Sequence, residues 1–94
     1  MHYQTIRKLQ RQNGYGQIQD LINSGLCWKM EGTVGRNAMD TLRSGATMLP
    51  VISCRDYYGS KIPSRLEVES GTTGSFKKCE RFWKEFLDNG CITY

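Results

Sequence analysis

Three short segments of the sequence each place a leucine just ahead of a glycine, and together they divide the chain into helical lengths. They read LINSG at 21–25, LRSG at 42–45 and LDNG at 87–90. Each follows apolar residues at helical spacing, and a glycine after the last turn readily adopts the left-handed conformation that caps a helix. The pattern therefore predicts three helix ends, at these glycines.

The last of these helices has the clearest apolar stripe. Ser75 is a suitable N-cap, and Phe82 flanks the stripe that follows. The stripe itself consists of Phe76, Cys79, Trp83, Phe86 and Leu87. Because this spacing keeps the residues on one side of a helix, we predict an amphipathic C-terminal helix packed on the core. A stripe of this kind is far more often core than a base-stacking or cofactor surface, so it receives no functional role.

Two further helical regions precede it. Thr33 is suited to cap a helix that ends at Gly45 and turns Val34, Ala38, Met39 and Leu42 inward. The N-terminal region has apolar residues at helical spacing on both sides of the sequence NGYG at 13–16. Glycines at this spacing interrupt a helix, so the region predicts two short helices across a hinge.

Strand signals lie at 26–30, 47–52 and 62–68, the last with a clean alternation over residues 66–69. Pro50 and Pro63 favour edge strands, because proline has no N–H for a ladder. Asp56 and Gly59 between the last two segments favour a turn. We therefore expect an α+β fold: one small domain over residues 1–94, with short helices, a small antiparallel sheet and the C-terminal helix packed on it.

The cysteines stand at 27, 54, 79 and 91, with no C-x-x-C spacing, and the one histidine is His2. This pattern lacks the ligand spacing of common zinc sites, so we expect reduced, mostly buried thiols, with neither metal nor cofactor. The opening MHYQTIRKLQ has no apolar core of the kind a secretory signal needs, and no apolar run approaches the length of a membrane span. We expect a cytoplasmic protein without a membrane partner.

The stretch RDYYGSKIPSR at 55–65 combines cations and aromatic residues around the expected turn. Arginine and tyrosine are enriched among the strong anchors of protein interfaces, and aromatic residues among cations also stack on nucleic-acid bases. We therefore predict a partner-binding surface, and the sequence leaves open whether the partner is protein or nucleic acid. Its residues are Arg55, Tyr57, Tyr58, Lys61 and Arg65.

The segment ESGTTGSFKK at 69–78 leads a glycine-rich turn into the last helix. N–H groups, hydroxyls and cations at such a helix start can converge on an anion, although a plain helix cap accounts for the same residues. Residues 70–74 also resemble the phosphate loop of adenylate-forming enzymes, but no other motif of those much longer enzymes is present. The candidate anion-binding residues are Thr72, Thr73, Ser75, Lys77, Lys78 and Arg81.

The sequence shows no group of residues typical of catalysis, since the one histidine lies at the N-terminus and no activated nucleophile is evident. We therefore expect a protein that is not an enzyme. The string from Gly32 to Ser75 resembles small proteins of bacteriophages and other mobile elements. That resemblance implies an accessory protein, such as an anti-CRISPR-like inhibitor that occludes a host defence protein or nucleoprotein complex. The alternative is a small DNA- or RNA-binding regulator.

Overall fold

The computed structural model of the chain describes residues 1–30, 32–56 and 58–90. It shows a helical domain with a two-stranded antiparallel sheet, so the α+β expectation is confirmed, with a very small sheet. Helices α1 and α2, a short 3₁₀ helix, α3, strands β1 and β2, and α4 follow in this order. Their bounds are Tyr3–Gln12, Gly16–Ser24, Leu26–Trp28, Gly32–Ser44, Cys54–Arg55, Lys61–Ile62 and Phe76–Gly90.

Two of the three glycine helix ends are confirmed. Gly25 and Gly45 follow α2 and α3 in the left-handed region, with φ of 79° and 97°. A side chain at Gly45 would also meet the neighbouring helix, because an added Cβ would lie 3.0 Å from Cβ of Phe82. The third glycine, Gly90, is still part of α4. Glycine is thus needed at position 45 both for its backbone conformation and for the close approach of α4.

Of the two predicted N-cap residues, the structure confirms one. Ser75 caps α4 as predicted, since its Oγ accepts a hydrogen bond from the backbone N–H of Lys78 at 3.1 Å. Thr33 lies inside α3, which begins one residue earlier at Gly32. The hinge at 13–16 separates α1 from α2 as expected.

The predicted strands were largely wrong: the described residues form one short hairpin, and its first strand, Cys54–Arg55, lies outside all three predicted segments. β1 pairs with β2 in antiparallel register, with Cys54 opposite Ile62 and Arg55 opposite Lys61. Residues 26–28 form the 3₁₀ helix, residues 47–52 form no strand, and residues 65–67 form a turn. The alternation at 66–69 was therefore misleading, because the N–H of Glu67 bonds to the carbonyl of Ser64 at 2.9 Å and closes a local turn.

The core consists of two groups of buried apolar side chains. One group joins α1 to α4 and contains Ile6, Ala46, Met48, Cys79 and Trp83. The other joins α2, the 3₁₀ helix and α3, and contains Ile22, Cys27, Ala38, Leu42 and Leu49. Residues 46–50 contribute to both groups and are all buried. This segment, which we call the central segment, therefore connects the two halves of the core.

The central segment is not part of the described sheet, and side chains of α1 and α2 supply several of its hydrogen bonds. The Gln19 amide accepts from the Met48 N–H and donates to the Met48 carbonyl, both at 2.9 Å. Gln10 donates to the Ala46 carbonyl at 3.0 Å and to Oε1 of Gln19 at 2.9 Å. Backbone groups from other parts of the chain bond to the segment as well: the Leu49 N–H donates to the Gly74 carbonyl, and the Pro50 carbonyl accepts from the Arg65 N–H, both at 2.9 Å. Buried backbone groups need such partners, so the two glutamines and these contacts together take the place of a strand ladder.

The stripe of α4 is buried unevenly. Trp83 and Cys79 are fully buried, whereas Phe86 and Leu87 keep more than a third of their surface exposed. Phe86 nevertheless contacts the Trp83 ring edge-on, with ring centroids 5.2 Å apart. The predicted packing of α4 on the core is confirmed at its centre and weakens toward its C-terminal end. At that centre α4 packs against α1 and the central segment, and not on the sheet as expected. No helix in the described part of the chain has both the length and the apolar character needed to cross a membrane.

Glu80 ties the first residue of the chain to α4. Its carboxylate accepts from the Met1 ammonium at 2.6 Å and from Lys77 at 3.2 Å. These two bonds lower the pKa of Glu80 to about 2, against about 4.3 for a free glutamate. A carboxylate whose pKa is lower in the folded state stabilises the fold above the unfolded pKa, and this contribution is lost as the pH falls through the folded value.

We therefore expect the stability advantage of the parent over Glu80→Gln to be full at pH 6 and to shrink as the pH falls from about 5 toward 2. Urea denaturation of both proteins over this range measures it. An advantage that does not change with pH would contradict the ionic role of Glu80.

Candidate functional site

The hairpin turn, residues 56–60, is closed by its own polar groups. Oδ1 of Asp56 accepts hydrogen bonds from the N–H groups of Tyr58 at 2.9 Å and Ser60 at 2.8 Å. The N–H of Asp56 donates to the Ser60 carbonyl at 2.9 Å, and Gly59 takes a left-handed φ of 84°. Asp56 and Gly59 thus form the turn for which the sequence suggested them. These hydrogen bonds hold the turn through its own residues.

The predicted contact residues divide into three sets. Arg55, Tyr58 and Lys61 lie at the surface, and the Tyr58 side chain is 87% exposed. Arg55 also donates to the Gly59 carbonyl at 2.8 Å, and Lys61 pairs with Glu67 at 2.7 Å. The predicted role of Tyr57 lies outside the described residues. The described part of the hairpin therefore presents the Tyr58 side chain together with two cations that already have hydrogen-bond or ion-pair partners.

Arg65 belongs to the interior, and the prediction that the turn holds it outward is wrong. Only 8% of its surface is exposed. Its Nε donates to the carbonyl of Leu49 at 2.6 Å, its Nη2 donates to Asn23 at 3.0 Å, and its guanidinium lies 5.1 Å from the Tyr3 ring centroid. Arg65 faces inward because the central segment leaves a carbonyl without a strand partner, and a long cationic donor satisfies it.

Several polar groups of the glycine-rich turn before α4 already form hydrogen bonds or ion pairs with one another or with the first turn of the helix. The Ser75 side chain is buried, and its Oγ accepts from the N–H groups of Gly71 at 3.0 Å and Lys78 at 3.1 Å. Lys77 lies beside the Glu80 carboxylate, which disfavours a second anion there. Thr72 and Thr73 are exposed. The anion-binding role of this turn, with Arg81 and the two lysines, stays a prediction.

A groove of about 700 Å³ lies beside the hairpin. Its apolar lining comes from the 3₁₀ helix, the residues after it and α3, namely Cys27, Trp28, Met30 and Met39. The hairpin contributes Asp56 and Tyr58 to the same groove. Sequence analysis missed this site because it assigned residues 26–30 to a strand, whereas residues 26–28 form the 3₁₀ helix. The spacing of Arg36, Met39 and Arg43 along α3 was a signal that could have indicated it.

Charged side chains of α3 complete the groove. Arg36, Asp40 and Arg43 follow at helical spacing and all line it. Asp40 pairs with Arg43 at 3.6 Å, whereas Arg36 reaches the hydroxyl of Thr33 at 3.5 Å. Among the described residues, no carboxylate lies within ion-pair distance of Arg36. The groove therefore combines an apolar lining with a cation that has no acidic partner in the described chain.

The three described cysteines are free thiols. Burial raises the pKa of Cys27 and of Cys79 to about 12, and burial also raises the pKa of Cys54. A thiol attacks as its thiolate, so these groups are poor nucleophiles at neutral pH. Cys27 therefore acts in the groove as a small apolar side chain.

Comparisons of the chain with protein-family models, with curated proteins and with solved structures found no match. Function is therefore inferred from the side chains that the fold brings to the surface.

Proposed function

We propose that the chain is a non-catalytic binding protein whose contact surface is centred on the hairpin turn. The observation that carries this proposal is the exposure of Tyr58 on a backbone that its neighbours already hold in place. Tyrosine is among the residues that most often dominate binding energy. A loop that is ordered before binding also loses less conformational entropy when a partner arrives.

Exposed aliphatic side chains next to the hairpin support the same proposal. Val51 and Ile52 precede β1, and 55% and 80% of their surfaces are exposed. Apolar side chains near one another at a surface often mark a protein contact. Aliphatic residues beside an aromatic anchor suit a protein partner better than a nucleic acid, whose recognition draws chiefly on cations and aromatic stacking.

The resemblance of residues 32–75 to small bacteriophage proteins supports a more specific form of this proposal. In that form the protein is an inhibitor that occludes a host defence protein or a nucleoprotein complex. Capture of partners from a bacterial lysate, with and without nuclease, tests it together with a phage-restriction assay. A partner that disappears after nuclease treatment would indicate the alternative, a nucleic-acid-binding regulator.

We expect Tyr58→Ala to weaken binding of the captured partner by about 30-fold or more, which corresponds to about 2 kcal/mol. Leu66→Ala is the matched control, because Leu66 is 77% exposed and lies outside the hairpin turn. Titration calorimetry measures both variants, and thermal melting verifies that each is folded. If Tyr58→Ala binds as tightly as Leu66→Ala, the hairpin turn is only a structural connection.

The dependence of affinity on salt separates the two classes of partner. Neutralising several phosphates makes affinity fall steeply with rising salt, whereas an interface centred on Tyr58 and aliphatic neighbours gives a shallow dependence. A steep slope would overturn the proposal of a mainly apolar protein interface.

A further inference from the structure

The groove beside the hairpin has an apolar lining that includes the Trp28 indole, and a cation, Arg36, for which the described residues supply no carboxylate partner. We propose that it binds an acidic peptide segment of a partner protein, with a bulky apolar side chain in the groove and a neighbouring carboxylate at Arg36. This inference rests on the proposed function, since it names the chemistry of the partner. It extends the contact surface from the hairpin turn to α3.

The size and lining of the groove suit a large apolar side chain. Its volume of about 700 Å³ lies within the range of roughly 300–1,000 Å³ common for ligand sites. Trp28 gives a flat aromatic wall, and Met30 and Met39 give flexible ones. Methionine adapts its shape to an entering group, so the lining accommodates an aromatic or a long aliphatic anchor.

The charges around the groove favour an acidic occupant. Both described carboxylates that line it already have partners: Asp40 pairs with Arg43, and Asp56 accepts from two backbone N–H groups. Arg36 is the lining cation without a carboxylate partner among the described residues. A carboxylate binds the planar guanidinium through two parallel hydrogen bonds. An acidic side chain on the occupant therefore supplies Arg36 with a carboxylate that no described residue provides.

The Trp28 indole is a second polar group beside the groove. Its Nε1 is buried, and no acceptor for it exists among the described residues. A buried donor without a partner is uncommon and costs free energy. Because Trp28 lines the groove, its indole N–H reports on any occupant that changes its surroundings.

The position of the groove connects it with the proposed contact surface. Asp56 and Tyr58 belong to the hairpin turn and also line the groove. A protein held at Tyr58 therefore lies next to the groove and can place one of its own segments in it. For this reason we assign the groove to a segment of the same partner, instead of to a separate small molecule.

Three capped pentapeptides provide the direct test. Each has a central phenylalanine, flanked on both sides by aspartate, by serine or by lysine. Peptide binding is followed through the two indole N–H signals in ¹H–¹⁵N spectra, assigned with Trp28→Phe. We expect the aspartate peptide to bind about tenfold more tightly than the lysine peptide. We also expect the aspartate peptide to shift the Trp28 signal. The signal of Trp83, whose indole N–H donates to the Ala46 carbonyl, should stay unchanged.

Variants locate the binding. Arg36→Ala should weaken binding of the aspartate peptide about tenfold. Lys8 is an exposed cation on α1, and Lys8→Ala should leave the affinity for this peptide unchanged. Equal affinity for all three peptides, equal effects of the two variants, or an unshifted Trp28 signal at about 1 mM peptide would each overturn the inference. So would a dimer of the chain alone that Arg36→Ala dissociates, since a second copy would then occupy the groove.

The two proposals fail in different ways. If the captured partner binds Arg36→Ala normally but loses affinity for Tyr58→Ala, the groove inference is wrong and the proposed function stands. If Tyr58→Ala binds normally while the aspartate peptide still depends on Arg36, the groove binds acidic peptides and the hairpin surface is wrong.

Discussion

Replacing Trp83 by alanine should lower the free energy of unfolding by about 3–5 kcal/mol, which is the usual cost of removing a large aromatic side chain from a core. Trp83 is fully buried, and its Nε1 donates to the Ala46 carbonyl at 3.1 Å. Its ring also meets the rings of Tyr15 and Phe82 edge-on, with centroids 5.8 Å and 4.9 Å apart. A loss of this size is comparable to the whole stability of many small domains.

Phe86→Ala is the comparison for this variant, because Phe86 is on the same helix and remains 37% exposed. Phe86→Ala should lower the free energy of unfolding clearly less than Trp83→Ala does. The loss should also be smaller than expected if every residue of the predicted stripe were fully buried. Chemical denaturation followed by circular dichroism measures both. Equal losses would show that the C-terminal end of α4 is buried as deeply as its centre.

The second large effect is expected for Gln19→Leu, which keeps the volume of the side chain but removes its amide. Four hydrogen bonds would be lost, with the Met48 N–H, the Met48 carbonyl, Gln10 and Asn23. Each buried group left without a partner costs about 1–3 kcal/mol. We therefore expect a total loss of about 3–5 kcal/mol, although an apolar side chain replaces a polar one in the interior.

Gln17→Leu is the matched control, because it makes the same substitution on α2 at an exposed position. It should change stability by less than about 0.5 kcal/mol. Urea denaturation of both variants compares them, and hydrogen exchange of the Met48 amide follows the lost bond directly. If Gln19→Leu matches Gln17→Leu in stability, the central segment does not depend on the helices for its hydrogen bonds.

The features that sequence analysis predicted correctly depend on interactions between residues that are close together in the sequence. The ends of α2 and α3 follow from glycines that adopt a left-handed conformation at little cost. Ser75 caps α4 by bonding to a residue three positions later, and Asp56 closes a turn within its own five residues. All the partners in these interactions lie within a few positions, so their pattern is readable along the chain.

The tertiary structure decided everything that depends on partners far apart in the sequence. Residues 47–52 have the composition of a strand, but Gln19 and Arg65, from two distant segments, bond to the backbone of Met48 and Leu49 there. Because the Leu49 carbonyl needs a hydrogen-bond donor, the Arg65 side chain is turned inward and buried. Its charge alone had favoured a position at the surface. The groove likewise exists only because the 3₁₀ helix, α3 and the hairpin meet. Local propensity cannot specify such features, because a buried carbonyl is satisfied by whichever donor the fold brings within hydrogen-bonding distance.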